Sequence, residues 1–144
     1  MTPEQLFSLV NPLALCGWLV LLLAPRWTQG PALVSGVIIP AVLGVVYVAL
    51  IAARFGSSEG GFGTLAEVQA LFADPWLLLA GWIHYLAFDL FIGAWETRDA
   101  MRLGVSRWLL APCLILTFLF GPAGLLLYLA LRRTRQAPIA LGAA

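Results

Sequence analysis

Four apolar stretches of about 20 residues dominate the chain, the length at which a helix rising 1.5 Å per residue matches roughly 30 Å of bilayer hydrocarbon. They run approximately over 6–24, 32–53, 76–97 and 108–131. In lipid every backbone polar group must be satisfied internally, so runs of this kind predict helices. The expected fold class is therefore an all-α integral membrane protein, one domain of four transmembrane helices over 1–144. Composition agrees: 62% of the residues are hydrophobic and 10% charged, against about 25% charged in soluble domains. The net charge of +1 comes from eight Arg, no Lys and seven acids, too little basic surface for a nucleic-acid partner.

Punctuation between the stretches is consistent with this reading. "APRWTQGP" separates the first two, with Pro31 placed near a helix start where its missing N–H matters little. "ADPW" opens the third, Asp74 being a candidate N-cap and Pro75 the first helical residue. In the connection between the second and third, Gly and Ser give a loop, then Thr64 and Glu67 stand at capping-box spacing ahead of Leu65, Val68, Leu71 and Phe72 at helical intervals. A short helix lying in the membrane interface is expected there. Cys16 and Cys113 fall within apolar runs and read as small buried hydrophobes. The N-terminus lacks the basic front end of a signal peptide, so the first apolar segment is expected to stay in the mature protein. With four spans the ends of the chain share one side. Arg26, Arg98, Arg102 and Arg107 then balance Arg54, Arg132, Arg133 and Arg135, and the terminal Arg cluster favours placing the ends in the cytoplasm.

The third span carries the costly residues, in "GWIHYLAFDLFIGAWETRDA". Counting from Trp76, His84 lies about 12 Å and Asp89 about 20 Å into the hydrocarbon. An ionisable group there costs roughly 2.5–3.5 kcal/mol on insertion scales. At 100° per residue, with His84 at the origin, Trp95 falls at about 20°, Phe88 at about 40°, Tyr85 at about 100°, Glu96 at about 120° and Asp89 at about 140°. This sector is expected to face the other helices, and Leu79, Ile83, Leu86, Ala87 and Leu90 on the opposite side to face lipid. Glu96, Arg98, Asp99 and Arg102 are expected at the exit end, where water solvates them, and Trp27, Trp76, Trp108 and Tyr128 as interface anchors.

Asn11 and Tyr47 share the depth of His84, whereas Pro40, Trp18, Thr117, Gly121 and Pro122 cluster near that of Asp89. Helices broken by Pro near a carboxylate suggest a cavity. The alternative use of His84 and Asp89, hydrogen bonds that fix the bundle, contributes only about 1 kcal/mol each. That is small against the insertion cost, which favours a pocket lined by Asn11, Tyr47, Tyr85, Phe88 and Thr117. A single His excludes multi-histidine iron and bis-histidine haem sites, and His–Asp at i,i+5 is poor chelation, so neither metal nor cofactor is expected. Acid–base chemistry without a cofactor remains, on a lipophilic small molecule arriving with membrane lipid. Homo-oligomerisation stays open. Rival readings are a non-catalytic lipid- or pigment-binding or scaffold protein and, last, a proton or solute pathway, which would need a continuous polar file across the bilayer.

Trp82, Ile83 and His84, followed by Asp89, Leu90 and Phe91, resemble the signature of the small four-helix membrane proteins of the abscisic-acid-deficient, neoxanthin synthase type, known from plants with bacterial relatives. The likeness continues in "APR" at 24–26, "IPAVLGVVY" at 39–47, Asp99, and "LFGPAGLL" at 119–126. It implies carotenoid or other isoprenoid chemistry in a membrane, here the bacterial inner membrane. Plant members are associated with converting violaxanthin to neoxanthin, an isomerisation in which an epoxide opens and a neighbouring carbon loses a proton to give an allene. That reaction asks for one acid and one base, and our own hypothesis assigns these roles to His84 and Asp89; by the resemblance Trp82 and Asp99 join the expected binding residues.

Overall fold

The computed structural model describes residues 1–23 and 29–135, all helical or connecting, with no strand among them. Helix α1 spans Pro3–Leu23. A π-helical stretch over Pro31–Ile38 leads into α2, Ile39–Arg54. Its wide register, in which the Ile39 N–H reaches back to the Val34 carbonyl, ends immediately before Pro40, which has no N–H to continue an α ladder. The short helix α3, Leu65–Leu71, starts as expected: Thr64 Oγ1 accepts from the Glu67 N–H at 3.2 Å, while Glu67 Oε2 accepts from Gly63 N–H at 2.9 Å. Helix α4, Pro75–Arg102, is capped by Asp74, whose Oδ1 accepts from Trp76 N–H at 2.7 Å. It is 28 residues long, five residues beyond the predicted exit, and ends in a Schellman turn in which Val105 N–H donates to the Ala100 carbonyl at 2.9 Å.

Three helices are long and apolar enough to cross a membrane, Pro3–Leu23, Ala32–Ser57 and Pro75–Arg102, which reads as an integral membrane protein. Helix α4 is central. Helix α1 runs parallel to it, with Pro3 beside Pro75 and Asn11 bonded to Trp82. Helix α2 runs antiparallel, with Tyr47 against His84 and the Arg54 guanidinium 5.3 Å from the Trp76 ring centre.

The predicted fourth span, 108–131, is not one helix. It is α5, Arg107–Phe120, and α6, Pro122–Arg135, folded back on each other. Gly121 makes the reversal with φ +40 and ψ −92, a conformation nearly closed to residues with a Cβ, and Pro122 cannot extend the α5 hydrogen-bond ladder. The two legs meet closely, because a Cβ on Gly124 would collide with the Thr117 backbone and hydroxyl. Contacts with α4 trace the path: Gly121 touches Asp89, whereas Tyr128 and Arg132 both bond Asp99, back toward the end where α5 began. Each leg is about 21 Å long, too short to span. The element is a helical hairpin with its tip level with Asp89, midway along α4, and the start of α1 and the end of α6 lie at opposite ends of the bundle rather than on one side.

The faces of α4 also differ from expectation. Leu79, Ile83, Leu86, Ala87 and Leu90 are buried in the core, packed with Ala14, Trp18, Ile39 and Leu43, while His84, Trp82 and Phe88 point outward. Lipid tails and a helix interior are equally apolar, so an aliphatic stripe does not say which of the two it meets. Cys113 is buried as expected, but Cys16 is exposed. Of the proposed anchors Trp108 is 90% exposed and Trp76 half-buried, whereas Tyr128 is fully buried. Arg26, Trp27 and the "APR" of 24–26 lie outside the described residues.

Candidate functional site

Polar side chains on α4 divide among three surroundings. His84 faces α2, where its ring stacks on Phe88 at 4.5 Å between centroids and meets Tyr47 edge-on at 5.5 Å. With Tyr47, Ile51 and Leu77 it lines a recess of about 260 Å³, which Phe62, Leu71 and Phe72 of α3 and its flanks cover. The equal depth of His84 and Tyr47 read from the sequence is thus a contact.

On another side of α4 lies a groove of about 410 Å³ shared with α1 and α5 and lined by Asn11, Trp82, Tyr85 and Phe118. Trp82 also lines a neighbouring recess of about 470 Å³ with Phe7 and Leu78, so aromatic surface continues toward the start of α1. Trp82 Nε1 donates to Asn11 Oδ1 at 2.9 Å, and Asn11 Nδ2 donates to the Phe7 carbonyl at 2.7 Å. The Trp82 ring stacks on Tyr85 at 5.3 Å, and Tyr85 Oη donates to the Phe118 carbonyl at 3.3 Å.

Asp89, one turn beyond Tyr85, faces the hairpin tip. A Cβ at Gly121 would stand 2.8 Å from Asp89 Oδ1, so only glycine lets the backbone come this close. Asp89 Oδ2 is buried and has no hydrogen-bond partner. Buried carboxylate oxygens without partners are rare because an unmade hydrogen bond costs roughly 1–3 kcal/mol, more for a charged group. One that persists invites a functional account.

Seven residues further on, Glu96 is 0% exposed, and Thr117 Oγ1 shares its proton between the two carboxylate oxygens, each at 3.1 Å. Water does not reach this side chain, contrary to expectation: α4 runs on to Arg102, which leaves Glu96 nearly two turns inside the helix end. Asp99, its side chain 12% exposed, accepts from Arg132 Nε at 2.6 Å and from Tyr128 Oη at 2.8 Å. The Trp95 ring meets Tyr128 edge-on at 5.5 Å. Tyr128 is therefore part of the polar interior and not an interface anchor.

Thus Asn11, Trp82 and Tyr85 share one groove, Tyr47, His84 and Phe88 cluster on another side, and Asp89, Thr117 and Asp99 lie along the hairpin. His84 and Asp89 are not brought together: they are separated by about 140° around α4. The sequence alone puts Glu96 in water and Tyr128 at the interface, so neither enters the expected site. A signal for Glu96 existed, since it and Asp89 are only about 20° apart on the helix. Among the described residues no three of His, Cys, Asp and Glu group as metal ligands.

A helical membrane protein with a helical hairpin packed on an acidic central helix is the class that fold and site define. Residues 5–128 match the ABA DEFICIENT 4-like (ABA4-like) family, and the chain belongs to it. The matched region includes Trp82, His84, Asp89, Asp99 and the hairpin through Tyr128. No curated protein and no solved structure matched the chain.

Proposed function

We propose that this protein acts on a carotenoid or related isoprenoid, taken from the lipid phase into the groove between α1, α4 and the hairpin, by cofactor-free acid–base isomerisation. The observation that carries this reading is the buried Asp89 Oδ2, without a hydrogen-bond partner and one turn along α4 from Tyr85, which lines that groove. Flat aromatic walls from Trp82, Tyr85 and Phe118 suit a rigid polyene, and a lipid-facing opening suits a substrate that never enters water. Asp89 carries the proton-transfer role, with Tyr85 beside it to orient a substrate oxygen. His84 faces a different recess and would reach the same molecule only elsewhere along its length.

Expression in a host that makes the epoxide-bearing carotenoid tests this. Product should form with the wild-type chain and be lost with Asp89→Asn. Parallel loss with His84→Ala would support a two-residue mechanism, and retention would leave Asp89 as the acid–base group. Full product formation by Asp89→Asn would sink the catalytic reading. The separation of His84 from Asp89 favours a second reading, non-catalytic binding of a pigment or lipid. In that case the purified protein carries a stoichiometric polyene that is recovered chemically unchanged.

A further inference from the structure

Glu96 has no place in that chemistry, yet it is the one fully buried carboxyl group among the described residues. The other buried polar side chains are locally satisfied: Ser35 Oγ donates to the Gly17 carbonyl at 2.8 Å, and Thr97 Oγ1 to the Gly93 carbonyl at 2.9 Å. The remaining interior polarity forms a file along the seam between α4 and the hairpin. It comprises three groups in succession: Asp99 with Arg132 and Tyr128 near the arginine-rich end, then the bonded pair Glu96 and Thr117, then Asp89 beside the tip. All three structural parts supply members: α4 the carboxyl groups, α5 Thr117, and α6 Tyr128 and Arg132. Glu96 also has far fewer donors than a carboxylate can use, since its two oxygens share one hydroxyl. A pair that served only to pin the hairpin would be expected to be better satisfied.

We propose that Glu96, with Thr117 and Tyr128, forms a proton relay that connects water at the arginine-rich end of the bundle to Asp89. A proton from water enters beside Asp99, the Tyr128 hydroxyl accepts it as it releases its own proton, and Glu96 takes up the proton released. From Glu96 it passes to the Thr117 hydroxyl as that hydroxyl releases its own proton onward to Asp89. One proton moves, each O–H bond broken is matched by one formed, and nothing is oxidised or reduced. Thr117 lies four residues before Gly121 on α5, about 6 Å along the axis, and Gly121 is the residue against Asp89, so the onward transfer runs through one bridging water. The relay reaches only halfway across the membrane, because the file ends at the hairpin tip. Its charged and titratable neighbours are Tyr85, Asp99 and Arg102 on α4, Cys113 on α5, and Tyr128 and Arg132 on α6.

The relay rests on Asp89 being the acid–base group only for its use, and it is measurable without substrate. The wild-type protein in lipid bilayers is transferred to D2O buffer while infrared spectroscopy follows the carboxyl C=O band that Asp89→Asn abolishes. Glu96→Gln, which can still accept from Thr117, is expected to slow deuteration of that band at least tenfold. Glu96→Asp and Thr117→Ser restore the faster exchange, and Tyr128→Phe slows it. Exchange in Glu96→Gln at the wild-type rate overturns the relay, as does absence of any band sensitive to Asp89→Asn. Slowed exchange in a protein that converts no isoprenoid supports the relay and removes the proposed chemistry. Product loss in Asp89→Asn with unchanged exchange in Glu96→Gln does the reverse.

Discussion

Substitution of Gly121 by alanine tests the hairpin tip and its contact with Asp89 at once. Two penalties are separable. At φ +40 and ψ −92 the new side chain sits in a sparsely allowed backbone region, which costs about 1–3 kcal/mol. In addition the new Cβ would stand 2.8 Å from Asp89 Oδ1 and 3.1 Å from Oδ2, an overpacking worth about 1–3 kcal/mol. Gly121→Ala should therefore destabilise the protein by about 2–6 kcal/mol, measured by reversible unfolding in bicelles. In an Asp89→Ala background the second penalty disappears and the first remains, so a double-mutant cycle should give a coupling of about 1–3 kcal/mol. A straight α5–α6 rod would give no such coupling. A cycle energy within about 0.5 kcal/mol of zero would refute the placement of the tip against Asp89.

Four further outcomes follow from the same geometry. Thr117→Val strips Glu96 of its donor and should cost about 1–3 kcal/mol in the same unfolding assay, with most of the loss absent when Glu96→Leu is also present. Tyr128→Phe, which removes the 2.8 Å bond to Asp99, should cost about 1–2 kcal/mol with the helical content unchanged by circular dichroism. The hairpin places Arg98, Arg102, Arg107, Arg132, Arg133 and Arg135 at one end of the bundle, against Arg54 at the other. That end should face the cytoplasm: in a background lacking Cys16 and Cys113, a membrane-impermeant maleimide applied from outside should label Thr2→Cys and spare Arg135→Cys. Labelling of both to the same extent would contradict the hairpin. Trp82→Phe, which deletes the donor to Asn11, should weaken binding of any groove-bound polyene severalfold in a titration while leaving Tyr47→Phe, in the other recess, without that effect.

Much of this architecture is legible in residue order. The caps at Thr64 and Asp74 act locally, through side chains two or three residues from the N–H groups they satisfy, and both are found as read. Depth along helices is nearly as readable, since rise per residue is constant: Tyr47 meets His84, and Gly121 meets Asp89. Azimuth is not, because the core and the lipid are equally apolar, and the aliphatic stripe of α4 turned inward. The "GP" at 121–122 reads equally as a kink in a spanning helix or as a reversal. Local chemistry permits both, and what selects the reversal is the long-range pairing of Tyr128 and Arg132 with Asp99. Closing the third span at residue 97 puts Glu96 in water, whereas α4 runs on to Arg102, so one helix boundary decides its burial.

The helical hairpin also dictates an order of assembly. A leg of 14 residues cannot rest alone in hydrocarbon, and an irregular tip such as Gly121 is tolerated at that depth only when protein surrounds it. Helices α1 and α4 must therefore already stand side by side before α5 and α6 can enter between Trp18, Tyr85 and Glu96. Until the hairpin docks, Asp89 and Glu96 present carboxyl groups to the bilayer without their hairpin contacts, so chains truncated before α6 become natural substrates for quality-control proteolysis.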